Sequence, residues 1–330
     1  MRARWLFVVL IAIAVAATAS AGCREAARER LGLGLAPPMS VAFIVHGAPD
    51  DPFWDIVRTG ATDAAAAFDV NLAWRSSPDG DERRRLIDEA LQQGFDTIVV
   101  TLVDPEAVSG VVEEAVLIGT TVYVINVGAE LVQALGAASY FGQVEAVAGL
   151  AVGDRLKEVG ASKVLCVVHE QANIALDARC ERAGFRIGAM DSLQIDPDNP
   201  DPETVVSWAL QNDPEIDAVL SMSTALYEPV LNAVESARRD GRQLVYAVFE
   251  LDDEVLDGIE RGQVLFAVDQ QAYLQGYLPI AYSRLNQYAE VSQGDELADA
   301  LLQWIAGGGI FLGPAFVDVN NAERVRDSRR

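Results

Sequence analysis

Histidine is nearly absent from this chain: His46 and His169 are the only two in 330 residues. A histidine-built metal centre or a His-based catalytic triad therefore has little material. His169-Glu170 lacks the second histidine of a zinc-protease helix, and Cys166-x-x-His169 stands alone. There is no GxSxG elbow and no GxxxxGK[ST] loop. The glycine-rich spots, Gly32-x-Gly34 and Gly307 to Gly309, do not lie between a strand and a helix, so neither forms a phosphate cradle. Basic residues are scarce as well: 25 Lys and Arg face 49 Asp and Glu, a net charge of −24. A field of that sign repels phosphate backbones and argues against nucleic acid as a partner. The acidic run from Asp196 to Glu203 lacks the spacing and the glycine of a calcium loop, and reads as a solvated loop ending in a helix cap. No metal and no cofactor is expected.

Cysteine is sparse, with three in all. Cys23 closes Ser20-Ala21-Gly22-Cys23, behind an apolar run from Trp5 to Ala17 that Arg2 and Arg4 precede. That run is shorter than the ~20 residues a membrane span needs, and it has the form of a secretion signal. The four residues resemble a bacterial lipobox without its usual leading Leu. The expectation is a signal peptide over 1–22, a lipid on Cys23 and a tether over 23–38; a plain signal cut after Ala21 is the alternative. Either way the mature chain works outside the cytoplasmic membrane, in the periplasm or on the membrane's outer face. Cys166 lies in the apolar run Val164 to Val168, and Cys180 in a helical pattern. A disulfide between them is open in an oxidising compartment, but spacing does not bring them within reach. Two unpaired, buried thiols are expected.

The chain is 51% hydrophobic and 22% charged, the composition of a folded body, and its length suits two domains. Short apolar runs such as Val41 to Val45 and Thr97 to Thr101 alternate with longer amphipathic ones such as Phe53 to Phe68 and Asp81 to Gln93. Continuous apolar strands separated by helices mean parallel sheets covered on both faces. The pattern runs through twice, which predicts two doubly wound lobes. Ligands of such sheets sit at the carboxyl ends of the strands. The residues found there include His46 to Trp54, Asn126 to Gly128, Ser221 to Thr224 and Phe249 to Asp252. After the last strand comes Val268-Asp269-Gln270-Gln271-Ala272-Tyr273-Leu274-Gln275-Gly276. Two aromatics, several amides and hydroxyls and a few carboxylates suit a hydroxyl-rich ligand, since amides both donate and accept and aromatic faces cover the C–H side of a ring. The bland alternatives are a helix capped by Asp51 and Pro52 whose aromatics pack inward, a polar cap at Gln270, and a surface ion pair at Arg179.

Three pieces carry a resemblance to a known family: Asp50-Asp51-Pro52-Phe53-Trp54, Val268 to Tyr277, and Leu312-Gly313-Pro314-Ala315-Phe316-Val317. The chain resembles the periplasmic sugar-binding proteins of ABC importers, of the ribose- and galactose-binding type, from about Ser40 to Val319. The resemblance implies an α/β fold of two doubly wound parallel-sheet lobes joined by a three-crossing hinge, the type I periplasmic binding protein. The crossings are expected near Ser139–Gly142, near Gln270 and around Leu301–Gly307. Lobe one is then 39–141 plus 271–302, and lobe two 142–270 plus 303–330. It further implies ligand contacts from Asp51, Phe53, Trp54, Asn126, Arg179, Ser223, Glu250 and Gln270. Some positions depart from the ribose pattern. Asn126 replaces Asp, Val127 replaces Arg, Ser223 replaces Asn and Glu250 replaces Asp, so ribose itself is disfavoured and another sugar or polyol is left open.

These readings point to a monomeric, non-enzymatic protein that captures a sugar-like solute by hinge closure and passes it to an ABC permease. A receptor feeding a sensor kinase or chemoreceptor is the alternative. An extracellular hydrolase is a remote one, with Asp51 and Glu250 as its only candidate carboxylate pair. The family's DNA-binding relatives, the LacI-type repressors, carry a helix-turn-helix where this chain has a secretion signal.

Overall fold

The computed structural model describes residues 38–48, 51–169, 173–196, 199, 201–291 and 309–328. The expected signal, Cys23, nearly all of the tether and the expected crossing at 301–307 lie outside the described residues.

The first lobe begins with β1 (Met39–Val45), an almost wholly buried run. Next come α1 (Pro52–Phe68), β2 (Val70–Ser76), α2 (Gly80–Gln92), β3 (Thr97–Val100), α3 (Pro105–Leu117), β4 (Thr121–Ile125) and β5 (Ser139–Gly142). The second lobe follows with α4 (Glu145–Glu158), β6 (Val164–Val168), α5 (Ile174–Ile187), β7 (Met190–Gln194), α6 (Pro202–Asn212) and β8 (Ala218–Ser221). It continues through α7 (Tyr227–Arg239), β9 (Val245–Phe249), α8 (Asp253–Glu260) and β10 (Phe266–Asp269). The helix α9 (Ala272–Val291) returns to the first lobe, and β11 (Ile310–Phe311), β12 (Ala315–Asp318) and α10 (Ala322–Ser328) end the chain.

Two six-stranded sheets result, ordered β11-β5-β4-β3-β1-β2 and β12-β10-β9-β8-β6-β7. All pairings are parallel except β10 with β12. The central strands are buried on both faces, as parallel strands covered by helices must be. The order reverses between β1 and β3 in one lobe and between β6 and β8 in the other, and such reversals open a crevice beyond the strand ends. Helix starts are set by carboxylates. Asp51, Asp79, Asp104, Asp201 and Asp252 each accept a hydrogen bond from a first-turn amide, and proline stands in the first turn of α1, α3 and α6.

Among the described residues the backbone passes between the lobes three times. β5 belongs to the first sheet and α4 packs on α5 in the second lobe, so the first passage is Gln143–Val144. The expected crossing at Ser139–Gly142 is a strand, and the chain changes lobe just after it. The second passage, Gln270–Gln271, joins β10 to α9. The third is corrected. Ile310–Phe311 pairs with β5 in the first sheet while β12 pairs with β10 in the second, which puts the passage at Leu312–Pro314 and removes 310–311 from the second lobe. A two-residue strand carries no periodicity from which it could be read.

Helices α1 and α9 meet backbone to backbone. A Cβ on Gly276 would stand 1.9 Å from Val57 O, and one on Gly60 would stand 2.1 Å from Tyr273 O. That contact fixes the second passage to the helix whose first turn carries Phe53 and Trp54.

The two thiols expected to be unpaired form a disulfide. Cys166 in β6 and Cys180 in α5 are bonded, with Cα atoms 5.9 Å apart and both side chains buried. α5 packs back against β6, which brings two cysteines 14 residues apart within bonding distance. Closing a loop of that length is worth about 3 kcal/mol through the unfolded chain. The double variant Cys166→Ala/Cys180→Ala is expected to lose about that much stability in urea denaturation; an unchanged midpoint would refute the assignment.

Candidate functional site

The carboxyl ends of both sheets face one cavity between the lobes. The first lobe lines it with His46 after β1, Asp51, Phe53 and Trp54 at the start of α1, and Asn126 and Val127 after β4. The second lobe contributes His169 after β6, Asn173, Ala175, Leu176 and Arg179 around the first turns of α5, and Glu250 after β9. Gln270 lines it from the second passage. The cavity itself is small, about 20 Å³, and a wider groove of about 590 Å³ adjoins it and shares Phe53, Glu250 and Gln270 with it.

Every residue expected at the site is here except Ser223. Ser223 is buried beyond β8, and its hydroxyl accepts from Ala225 N at 3.1 Å, capping a short 3₁₀ turn. The residues passed over in the sequence are those after β6. Asn173 also caps α5, its Oδ1 accepting from Ala175 N at 3.0 Å. Position after a strand was the signal that would have found it, along with His169.

The aromatic wall is built by local geometry. Asp51 Oδ1 accepts from Phe53 N at 2.9 Å, and Pro52 presets the first turn of α1. Phe53 and Trp54 then project from the first turn with ring planes at 85° and centroids 5.0 Å apart. The indole meets His46 edge-on at 4.8 Å. His46 Nδ1 in turn lies 2.9 Å from Thr101 Oγ1. The capped-helix reading and the ligand-wall reading are thus one arrangement: both rings join the first lobe's core and also line the cavity.

Backbone strain marks the same place. Among the described residues, Asp69, Asn126, Glu250 and Gln271 are the non-glycines with positive φ. Asp69 ends α1. The other three follow β4, β9 and β10, where a left-handed residue costs on the order of 1–3 kcal/mol and is held only by its surroundings. Asn126 Nδ2 donates to Gln275 Oε1 at 3.3 Å, and Gln275 Nε2 donates to Gln270 O at 2.9 Å. Glu250 Oε2 accepts from Thr224 N at 3.1 Å, and its Oε1 faces Gln270 Nε2 at 3.5 Å.

Arg179 is 2% exposed. Its Nη2 donates to Gln270 Oε1 at 2.7 Å, its Nε donates to Glu145 Oε2, and its guanidinium carbon lies 4.9 Å from the Phe249 ring centroid. Burial opposes the charge, but the Glu145 carboxylate, with Glu250 behind it, holds the group charged. The surface ion pair considered in the sequence is therefore a buried one. Glu250 is pushed up to about 7, first by burial and then by the nearby Asp51 carboxylate, with His169 and Arg179 pulling the other way.

Two parallel-sheet lobes, three passages and a cavity walled by aromatics, amides and an arginine define a two-lobed binding protein. The chain belongs to the periplasmic binding protein domain family, whose profile matches residues 41–284; it is an extracytoplasmic solute-binding protein. It is similar to a carbohydrate transporter from Acidothermus cellulolyticus solved in complex with myo-inositol. The two share 33% identity and a TM-score of 0.78, over 88% of this chain and 98% of the other. The xylose/arabinose-binding protein XylF of Sulfolobus acidocaldarius is 21% identical over 74% of this chain and 69% of its own. The ribose import binding protein RbsB of Bacillus subtilis is 27% identical over 58% of this chain and 63% of its own.

The raised Glu250 carboxyl sets a pH dependence. A carboxyl that holds its proton more tightly when folded stabilises the fold fully below its ordinary value of 4.5, and that stability is lost as pH rises through about 7. Without ligand, the unmodified protein should lose melting temperature between pH 5 and about 7.5 relative to Glu250→Gln. Parallel melting curves for the two proteins across that range would rule out the assigned shift.

Proposed function

We propose that the protein captures a neutral cyclic polyol or sugar between its lobes and delivers it to an ABC importer, with myo-inositol as the first candidate. One observation carries the reading: Phe53, Trp54 and Asn126 from one lobe and Arg179 and Glu250 from the other face a single cavity, beside Gln270 at the second passage. The aromatic faces suit the C–H side of a ring, and the amides, carboxylate and guanidinium suit its hydroxyls. Neither lobe holds the full set, so a ligand that touches both favours the closed form by its differential affinity.

The choice of a cyclitol over ribose rests on two supports. Val127 offers no guanidinium beside Asn126, and Ser223 spends its hydroxyl on a helix cap. The relative from Acidothermus cellulolyticus holds myo-inositol at 33% identity. A lipid on Cys23 would keep the clamp at the membrane face near its permease, and the protein would act there as a monomer, without turnover.

A charge-assisted hydrogen bond contributes about 1.5–3 kcal/mol, and tenfold in affinity is about 1.4 kcal/mol. Arg179→Ala should therefore weaken myo-inositol binding by at least about tenfold in calorimetric titration. Saturating myo-inositol should raise the melting temperature of the unmodified protein, as any ligand of the native state does. If no inositol, hexose, pentose or linear polyol shifts that temperature, the proposed function fails.

A further inference from the structure

Arg179 is held on one side by a passage between the lobes and on the other by the residue that directly follows another. Its Nη2 is bound by Gln270 at the second passage and its Nε by Glu145, the first residue of α4. Gln143, at the first passage, donates Nε2 to the same Glu145 oxygen at 3.0 Å. The other amide atom of Gln143, Oε1, is buried and lies 3.4 Å from where a Cβ on Gly313 would stand, at the third passage. One carboxylate thus joins the ligand-facing arginine to a point where all three passages meet. The support is rigid: a Cβ on Gly149 of α4 would come within 2.5 Å of Arg179 O, so the two helices touch backbone to backbone. Within this arrangement Glu145 does not line the cavity, whereas Gln270, the other side chain that accepts from Arg179, lies at its wall.

We infer that Glu145 is the positioning residue of this site: from the first passage it holds the Arg179 guanidinium against Gln270, and so keeps it from collapsing onto Glu250. The inference rests on the cavity being the ligand site, and it goes beyond that by assigning binding strength to a residue the ligand does not touch. The physical reason is charge. A buried guanidinium needs a carboxylate, and Glu145 supplies it. With that charge removed, the carboxylate left acting on the guanidinium among the described residues is Glu250. The groups facing Glu250 are Asp51 at the start of α1, His169 after β6, Arg179 on α5, Gln270 at the second passage and the Thr224 amide. Of these, Arg179 is the one whose grip on Glu250 changes when Glu145 is neutralised. An Arg179–Glu250 pair would take from the cavity two of the charged groups that face the ligand.

The test uses the full-length protein, myo-inositol as probe, and titration calorimetry from pH 5.5 to 8.5. Glu145→Gln keeps the shape and loses the charge. It should bind at least tenfold more weakly, and the pH at which Glu250 ionises should move down by about one unit or more, as an opposite charge brings. The same shift should appear without any ligand, in the pH dependence of the melting temperature. Glu145→Asp keeps the charge on a shorter arm and should bind more weakly while retaining the original pH midpoint. Glu145→Gln with unchanged affinity and unchanged pH midpoint overturns the inference. If Glu145→Gln does not fold, Glu145→Asp decides: unchanged affinity overturns it and a loss at unchanged midpoint supports it. If the unmodified protein binds no polyol, the proposed function falls, and the ligand-free melting profiles of the two variants still decide the role of Glu145.

Discussion

A guanidinium taken out of water has to be met by a carboxylate, and much of this molecule is arranged around the place where Arg179 meets Glu145. Removing one partner of such a pair leaves an uncompensated charge, at a cost of about 3–5 kcal/mol. The pair is costly to keep in a dry interior, and its position accounts for its presence. It stands where α4 and α5 touch and where the first passage enters the second lobe, with Arg179 at the wall of the cavity and Glu145 behind it. The disulfide from β6 to Cys180, the residue after Arg179, fastens the same helix to the sheet beneath it. Rigid support under a ligand-facing charge lowers the ordering cost that binding would otherwise carry.

The cavity itself is a product of strand ends. Parallel sheets of this order leave their carboxyl ends uncovered at the reversal point. The chain uses those ends for residues in unfavourable backbone states, Asn126, Glu250 and Gln271. Each is tied down by its neighbours. The Tyr140 hydroxyl lies 2.6 Å from Asn126 O and 2.9 Å from Gln143 O and shares its one proton between them, and Asp269 accepts from the Gln271 backbone at 2.7 Å. Strain, burial and charge therefore coincide at the boundary between lobes, and the sheets beneath stay regular.

Much of the fold was legible because its signals are local. Buried runs such as Val41 to Val45 and Val164 to Val168 announce central parallel strands, and Asp-Pro pairs at 51–52, 104–105 and 201–202 announce helix starts. What was missed depends on contacts between distant segments. Ile310–Phe311 is too short for a pattern and is a strand only because β5 lies beside it. Ser223 has the residue type of a binding group, yet the 3₁₀ turn takes its hydroxyl. Glu145 reads as an ordinary helix-start acid, and nothing local shows that Arg179 reaches it.

Composition, apolar periodicity and capping residues by themselves determined that this chain builds two doubly wound lobes with polar and aromatic residues at the strand ends. Those are short-range effects, set by backbone sterics and burial of one face of each element. Tertiary structure alone decided that Cys166 and Cys180 bond, that Ile310–Phe311 stays with the first sheet, and that Arg179 is buried against Glu145. Each is a meeting of groups far apart along the chain or on different elements. It exists only once helices have packed on strands and the three passages have brought the lobes face to face.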